Sequence, residues 1–204
     1  MVDYLKQNSS PPLVLVHGLW DSPRLFNPLR HELGEYEIQL LAPYLPHRLG
    51  AVPLTYLAEH LDSLICKHFG NYQIIDLLGF SMGGVIGRIW LQNLDGAVRT
   101  RRFFSVGSPQ RGTLTAQWVP SWMFAGIADM KIGSSLLRSL NADTSILGTL
   151  KCVSFFCYWD LIVFPGWNAT LPCGEQYAIP VLTHQQLLRH PVALKLLGRL
   201  LRQA

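Results

Sequence analysis

Ser81 stands in Gly79-Phe80-Ser81-Met82-Gly83-Gly84, a G-x-S-x-G pattern that flanks a hydroxyl with residues lacking a Cβ. A hydroxyl becomes a nucleophile when an imidazole takes its proton and a carboxylate fixes the imidazole's tautomer. The pattern has chemical meaning only on a strand–turn–helix corner, where the serine is held clear of the sheet with its Oγ exposed. Both flanks are present: Ile74-Ile75-Asp76-Leu77-Leu78 is an apolar run of strand length, and Val85, Ile86, Ile89 and Trp90 have helical spacing. Gly79 and Gly83 let the two backbones approach, and the positive end of the helix lies beside Ser81.

On a parallel sheet the acid and the imidazole are expected later in the chain, in that order, each beyond the C-terminal end of a strand. Asp160 directly follows the apolar stretch 151–159, and His184 lies just past 176–180, before the last helix. Taken singly, Asp160 also reads as a turn residue and His184 as a helix-start residue. The competitors fit less well. Asp129 and Asp143 fall inside a long connection, and Glu175 precedes the last strand. Asp76 sits within a strand, where it would fix backbone or neighbouring strands, while His190 falls on the final helix. His31, His60 and His68 are expected on early helices as solvated or capping groups. Acyl transfer further needs N–H donors for a tetrahedral oxyanion. The backbone amides of Met82, after the nucleophile, and of Leu19, in His17-Gly18-Leu19-Trp20, are the candidates.

Strand-like and helix-like segments alternate from near the start, which argues for an α/β fold with a mostly parallel sheet. Strands are expected at 13–16, 36–41, 73–78, 102–106, 151–158 and 176–179. Helical spacing occupies 26–33, 56–65, the segment after Ser81, and about 191–202, where Lys195, Arg199 and Arg202 share one side. One connection breaks the rhythm. Residues 107–150 exceed a plain crossover and include Trp118, Trp122, Met123 and Phe124, which either wall an acyl pocket or pack as a surface helix.

Bulk composition excludes several classes. The 204 residues suit one domain, 1–204, and 49% hydrophobic against 15% charged residues is globular rather than disordered. Apolar runs fall short of a membrane span, and residues 1–10 lack the apolar core of a secretory signal. The expected location is therefore cytoplasmic, with peripheral membrane contact open. The net charge of +4 permits anionic partners, but no basic block interleaved with aromatics suggests a nucleic-acid groove. Cys66, Cys152, Cys157 and Cys173 have no metal-type spacing and read as free thiols, Cys173 being the one in a loop. Neither a metal nor another cofactor is expected.

The motifs together resemble the α/β-hydrolase superfamily, most of all its small bacterial lipase/esterase branch. Val14-Leu15-Val16-His17-Gly18-Leu19 resembles that family's oxyanion loop, and the Ser81 motif its nucleophile turn, with Phe80 where His is usual. Gly107-Ser108-Pro109-Gln110-Arg111-Gly112-Thr113 resembles a lipase loop, with Gln110 replacing His, and His184 followed by Leu187-Leu188 is lipase-like. The resemblance runs from about Leu13 to the C-terminus. It implies a minimal α/β-hydrolase fold of about six mostly parallel strands, lacking the family's first two, with a short lid-like insertion at about 114–142. It implies a Ser81–His184–Asp160 triad acting on carboxylic esters, small-molecule or lipid, with Trp20, Phe80, Trp118, Trp122 and Trp159 around an apolar pocket. Acyl transfer, thioester cleavage, or a non-catalytic domain binding a lipid or protein partner are the alternatives.

Overall fold

The computed structural model describes residues 10–34 and 38–203. Six parallel strands form one sheet in the order β2-β1-β3-β4-β5-β6. They are β1 (Leu13–Val16), β2 (Leu40–Leu41), β3 (Ile75–Phe80), β4 (Thr100–Val106), β5 (Lys151–Phe156) and β6 (Glu175–Ala178). Along β1 the side chains alternate between two buried faces, with Val14 and Val16 in one apolar cluster and Leu13 and Leu15 in the other. Burial on both sides explains why these strands read as unbroken apolar runs.

Helices α2 (Leu54–Phe69) and α3 (Met82–Asn93) cover the first face, and α1 (Asn27–Leu33) and α6 (Pro191–Arg202) the second. Helix α6 buries Leu194, Leu197 and Leu201 and leaves Lys195 and Arg199 exposed, as the leucine spacing predicts. Its C-terminal end is tied to the sheet by Arg102. The guanidinium donates to the carbonyls of Leu200, Leu201 and Gln203 and, through Nε, to Asp76 at 3.0 Å. Asp76 is fully buried and also receives Arg101, so its place is to hold β3 to β4.

Strand ends differ from the sequence expectation in ways the ladders explain. β3 runs to Phe80, two residues further than expected, because Gly79 and Phe80 pair with Ser105 and Val106 of β4. β5 stops at Phe156 where its pairing with β6 ends at Ala178. The expected strand at 36–41 is ordered as β2 only at Leu40–Leu41; Tyr36 and Glu37 lie outside the described residues, as do residues 1–9.

The long connection after β4 folds into two short helices, α4 (Ala125–Asp129) and α5 (Ser135–Ala142). Asp129 Oδ2 accepts the N–H of Leu54 at 2.9 Å, so the connection caps α2 from outside. Arg88 of α3 is buried and donates to the Leu140 carbonyl and Asn141 Oδ1, both at 2.8 Å, which fixes α5 to the core. The segment around Trp118 and Trp122 instead faces solvent.

Candidate active site

Ser81 occupies the corner between β3 and α3 with φ +54° and ψ −126°, a conformation that non-glycine residues rarely adopt. The corner is held by Ser81 N–H donating to the Val106 carbonyl at 2.9 Å and Gly84 N–H donating to the Ser81 carbonyl at 3.0 Å. A Cβ at Gly83 would overlap the carbonyl of Val16, so a side chain there would push α3 away from β1. The serine is 8% exposed and faces a cavity of about 180 Å³.

His184 begins a tight helical turn, His184–Leu188, fixed by a capping box in which Gln186 Oε1 accepts the N–H of Thr183 at 3.1 Å. The imidazole Nδ1 donates to Asp160 Oδ2 at 2.7 Å, and the pair is almost fully buried. Asp160 is itself oriented, since its Oδ1 accepts the N–H groups of Ile162 at 2.8 Å and Val163 at 2.9 Å. Phe80 packs against the imidazole with ring centroids 4.7 Å apart. His184 Nε2 is buried and has no hydrogen-bond partner among the described residues, and His184 lines the same cavity as Ser81. A neutral ring that donates through Nδ1 carries its lone pair on Nε2.

The loop after β1 presses against the Ser81 corner. A Cβ on Gly18 would lie 2.9 Å from Ser81 Cβ, so only glycine allows this approach. The loop is fixed by His17, whose Nδ1 bonds the Gly18 carbonyl at 2.9 Å while Nε2 accepts the N–H of Leu45 at 3.0 Å. Burial lowers the pKa of His17 below its ordinary 6.5, with the backbone bond to Gly18 opposing. Met82 is the first residue of α3, so its N–H has no partner within the helix, and the Leu19 N–H makes no backbone hydrogen bond among the described residues.

Around Ser81 and His184 the cavity walls are mainly apolar. Leu19 and Trp20 come from the loop after β1, Val119, Ile127 and Met130 from the long connection, and Ile162 and Val163 from the Asp160 loop. Of the five residues expected around the pocket, Trp20 lines it. Phe80 is wholly buried and supports the imidazole from behind instead. Trp118, Trp122 and Trp159, at 91%, 83% and 71% exposed, are not among the lining residues. Val119 turns inward where Trp118 turns out, so the connection does supply a wall, through its aliphatic residues. Nothing in sequence spacing separated Ile127, Met130, Ile162 or Val163 from ordinary core residues. Asp21 also lines the cavity, its pKa raised by burial, against which the charges of His17 and His184 act. No group of three or more His, Cys, Asp or Glu among the described residues is placed to hold a metal ion.

A family model described as the alpha/beta hydrolase family matches residues 13–192. The chain belongs to the α/β hydrolase family. Among solved structures this α/β hydrolase shares its fold with the mature lipase of Bacillus licheniformis, with 16% identity and a TM-score of 0.73 over 95% of this chain and 93% of that one. A metagenomic carboxyl esterase is similar over 95% of this chain and 76% of its own, at 16% identity and a TM-score of 0.77. The thioesterase of the prodiginine biosynthetic pathway in Streptomyces coelicolor matches with 17% identity and a TM-score of 0.62, covering 95% of this chain and 85% of that one. At these identities the likeness to each solved structure is one of fold. No curated protein matches the sequence.

Proposed function

We propose that this α/β hydrolase cleaves carboxylic esters through a covalent acyl-enzyme formed on Ser81. The observation that carries the reading is the His184 imidazole, tethered to Asp160 at 2.7 Å and with an unpartnered Nε2 at the cavity that Ser81 faces. His184 Nε2 takes the Ser81 proton as Oγ attacks the ester carbonyl, then returns it to the departing alcohol. Asp160 holds the ring in the tautomer with its proton on Nδ1 and stabilises the imidazolium that forms. The N–H groups of Leu19 and Met82 receive the oxyanion, and loss of one such donor typically costs about 3–4 kcal/mol. Water then attacks the acyl-enzyme by the same proton route.

An apolar acyl group suits the walls contributed by Val119, Ile127, Met130 and Ile162. Exposed Leu114, Trp118, Leu161 and Phe164 are chain neighbours of cavity-lining residues, which favours an ester presented at a lipid surface. The part of the long connection that supplies Val119 is the lid candidate. Thioester cleavage by the same groups is the second reading, supported by the fold shared with a thioesterase.

Turnover of p-nitrophenyl esters of graded chain length tests the proposal. Wild-type protein is expected to hydrolyse them and to be labelled by a fluorophosphonate probe, and Ser81→Ala to lose both. Unchanged turnover in purified, folded Ser81→Ala refutes it.

A further inference from the structure

Two of the four cysteines share one face of the sheet at its N-terminal end, where the crossover from β5 returns to β6. β5 pairs with β6 so that Val153 lies opposite Glu175. One residue earlier on each side, Cys152 therefore lies opposite Gly174, where an added Cβ would sit 2.7 Å from the Cys152 Cβ. Cys173 is the next residue. With neighbouring strands about 4.8 Å apart and consecutive Cα atoms about 3.8 Å apart, the two Cα atoms fall about 6 Å apart, within the range of about 4.4–6.8 Å that a disulfide spans. Gly174, at φ +84°, breaks the strand alternation that would turn Cys173 to the other face. Both side chains also pack in the same apolar cluster, whereas Cys157 belongs to the cluster on the opposite face. Cys66 sits on α2, where its sulfur meets Asp62 and Arg99.

We propose that Cys152 and Cys173 are a dithiol pair that closes to a disulfide under oxidising conditions, stapling the end of the 157–174 crossover to the start of β5. Cys173 is partly exposed and Cys152 buried, which sets the order of events. The Cys173 thiolate attacks the S–S bond of a small disulfide such as oxidised glutathione and releases one equivalent of thiol. The Cys152 thiol then loses its proton and its sulfur attacks Cys173 Sγ, releasing the second equivalent. Overall, two protein thiols are oxidised to one disulfide and one small disulfide is reduced to two thiols.

The second step is slow. Burial, then the neighbouring Cys173 thiol, push the Cys152 thiol up to about 12, so little thiolate is present near neutral pH. Arg88 opposes this. Its guanidinium is buried, donates to Gln92, Asn141 and the carbonyls of Gln110 and Leu140, and pairs with no carboxylate among the described residues. Its positive charge favours the Cys152 thiolate.

The bond itself is read without any activity, so its test is independent of the proposed role of Ser81. Full-length protein is incubated with oxidised glutathione at mildly alkaline pH, then denatured, titrated for thiols and mapped by non-reducing peptide mass spectrometry. The expected result is loss of two thiols per chain, a single linkage joining the peptides with Cys152 and Cys173, faster closure at higher pH, and a raised Tm that a dithiol reductant reverses. In Cys152→Ser the expected product is a glutathione adduct on Cys173. Four titratable thiols after prolonged oxidation of folded wild type, a stable adduct on wild-type Cys173 without closure, or a linkage through Cys66 or Cys157 would each overturn the proposal. If the disulfide forms while Ser81→Ala retains full ester turnover, the functional reading fails and the dithiol pair stands.

Discussion

The two oxygens of Asp160 have different tasks: Oδ2 meets the imidazole, and Oδ1 is held by the backbone N–H groups of Ile162 and Val163. An Asn at this position can still present its oxygen to those N–H groups, which turns its NH₂ toward Nδ1 and favours the wrong imidazole tautomer. Asp160→Asn is therefore expected to lower kcat by up to ~10⁴ with little change in Tm. A residue that only braced a turn would give the opposite pattern, which steady-state kinetics and thermal melts on one preparation distinguish. His17 offers a second test at this scale. Its folded pKa lies below 6.5, so between those values the unfolded chain binds more protons and acidification favours unfolding. The contribution of a neutral His17 is complete above 6.5 and is lost as pH falls through the lowered value. NMR titration should find the His17 ring still mainly neutral at pH 6.5, where an unperturbed imidazole is about half protonated. A midpoint at or above 6.5 would contradict the burial argument. Chain order and strand context made Ser81, Asp160 and His184 legible as candidates, because each follows an apolar run. Asp21 was not legible, since its place on the cavity wall depends on how the loop after β1 folds back on Ser81.

Strands and helices were legible in kind, their ends less so. Parallel strands buried on both faces leave continuous apolar runs in the sequence, but where a strand stops depends on how far its neighbour extends, as Phe80 opposite Val106 illustrates. The long connection was legible as an interruption, yet its anchoring was not. Asp129, read from sequence as a competitor for the acid, in fact caps a helix more than seventy positions away in the chain, through the Leu54 N–H. Residue 53 at the start of α2 is proline, whose side chain offers no oxygen to that N–H, so the cap comes from outside the helix. Asp129→Ala is expected to destabilise the fold by about 1 kcal/mol, a Tm decrease of roughly 2–4 °C for a protein of this size. Because Asp129 also joins the cavity-bearing connection to α2, ester turnover should fall at temperatures below the new Tm. Unchanged melting in Asp129→Ala would show that the α2 terminus is satisfied by water.

At the scale of the whole molecule, the sheet has its candidate site at one rim and its charge clamp toward the other end. Asp76 and Arg102 lie near the start of β3 and β4, and Ser81, Asp160 and His184 follow the C-terminal ends of β3, β5 and β6. Apolar content predicted a buried core, but only folding determines which large side chains remain outside it. Trp118 and Trp122, on the connection that walls the cavity, remain outside, and Trp20, itself a cavity residue, is 67% exposed. Three indoles in water gain when they enter a lipid headgroup region, where an amphipathic ring is well accommodated. Replacing Trp118 and Trp122 together by Ser removes two of the three indoles without touching a cavity-lining side chain. The expected outcome is unchanged kcat/KM on a short soluble ester, weaker co-sedimentation with phospholipid vesicles, and slower turnover of an ester embedded in them. Since the net charge is +4, the wild-type protein should sediment more with anionic than with zwitterionic vesicles, and salt should reduce that difference. If the double variant sediments and turns over like wild type on both substrates, Trp118 and Trp122 serve no lipid contact.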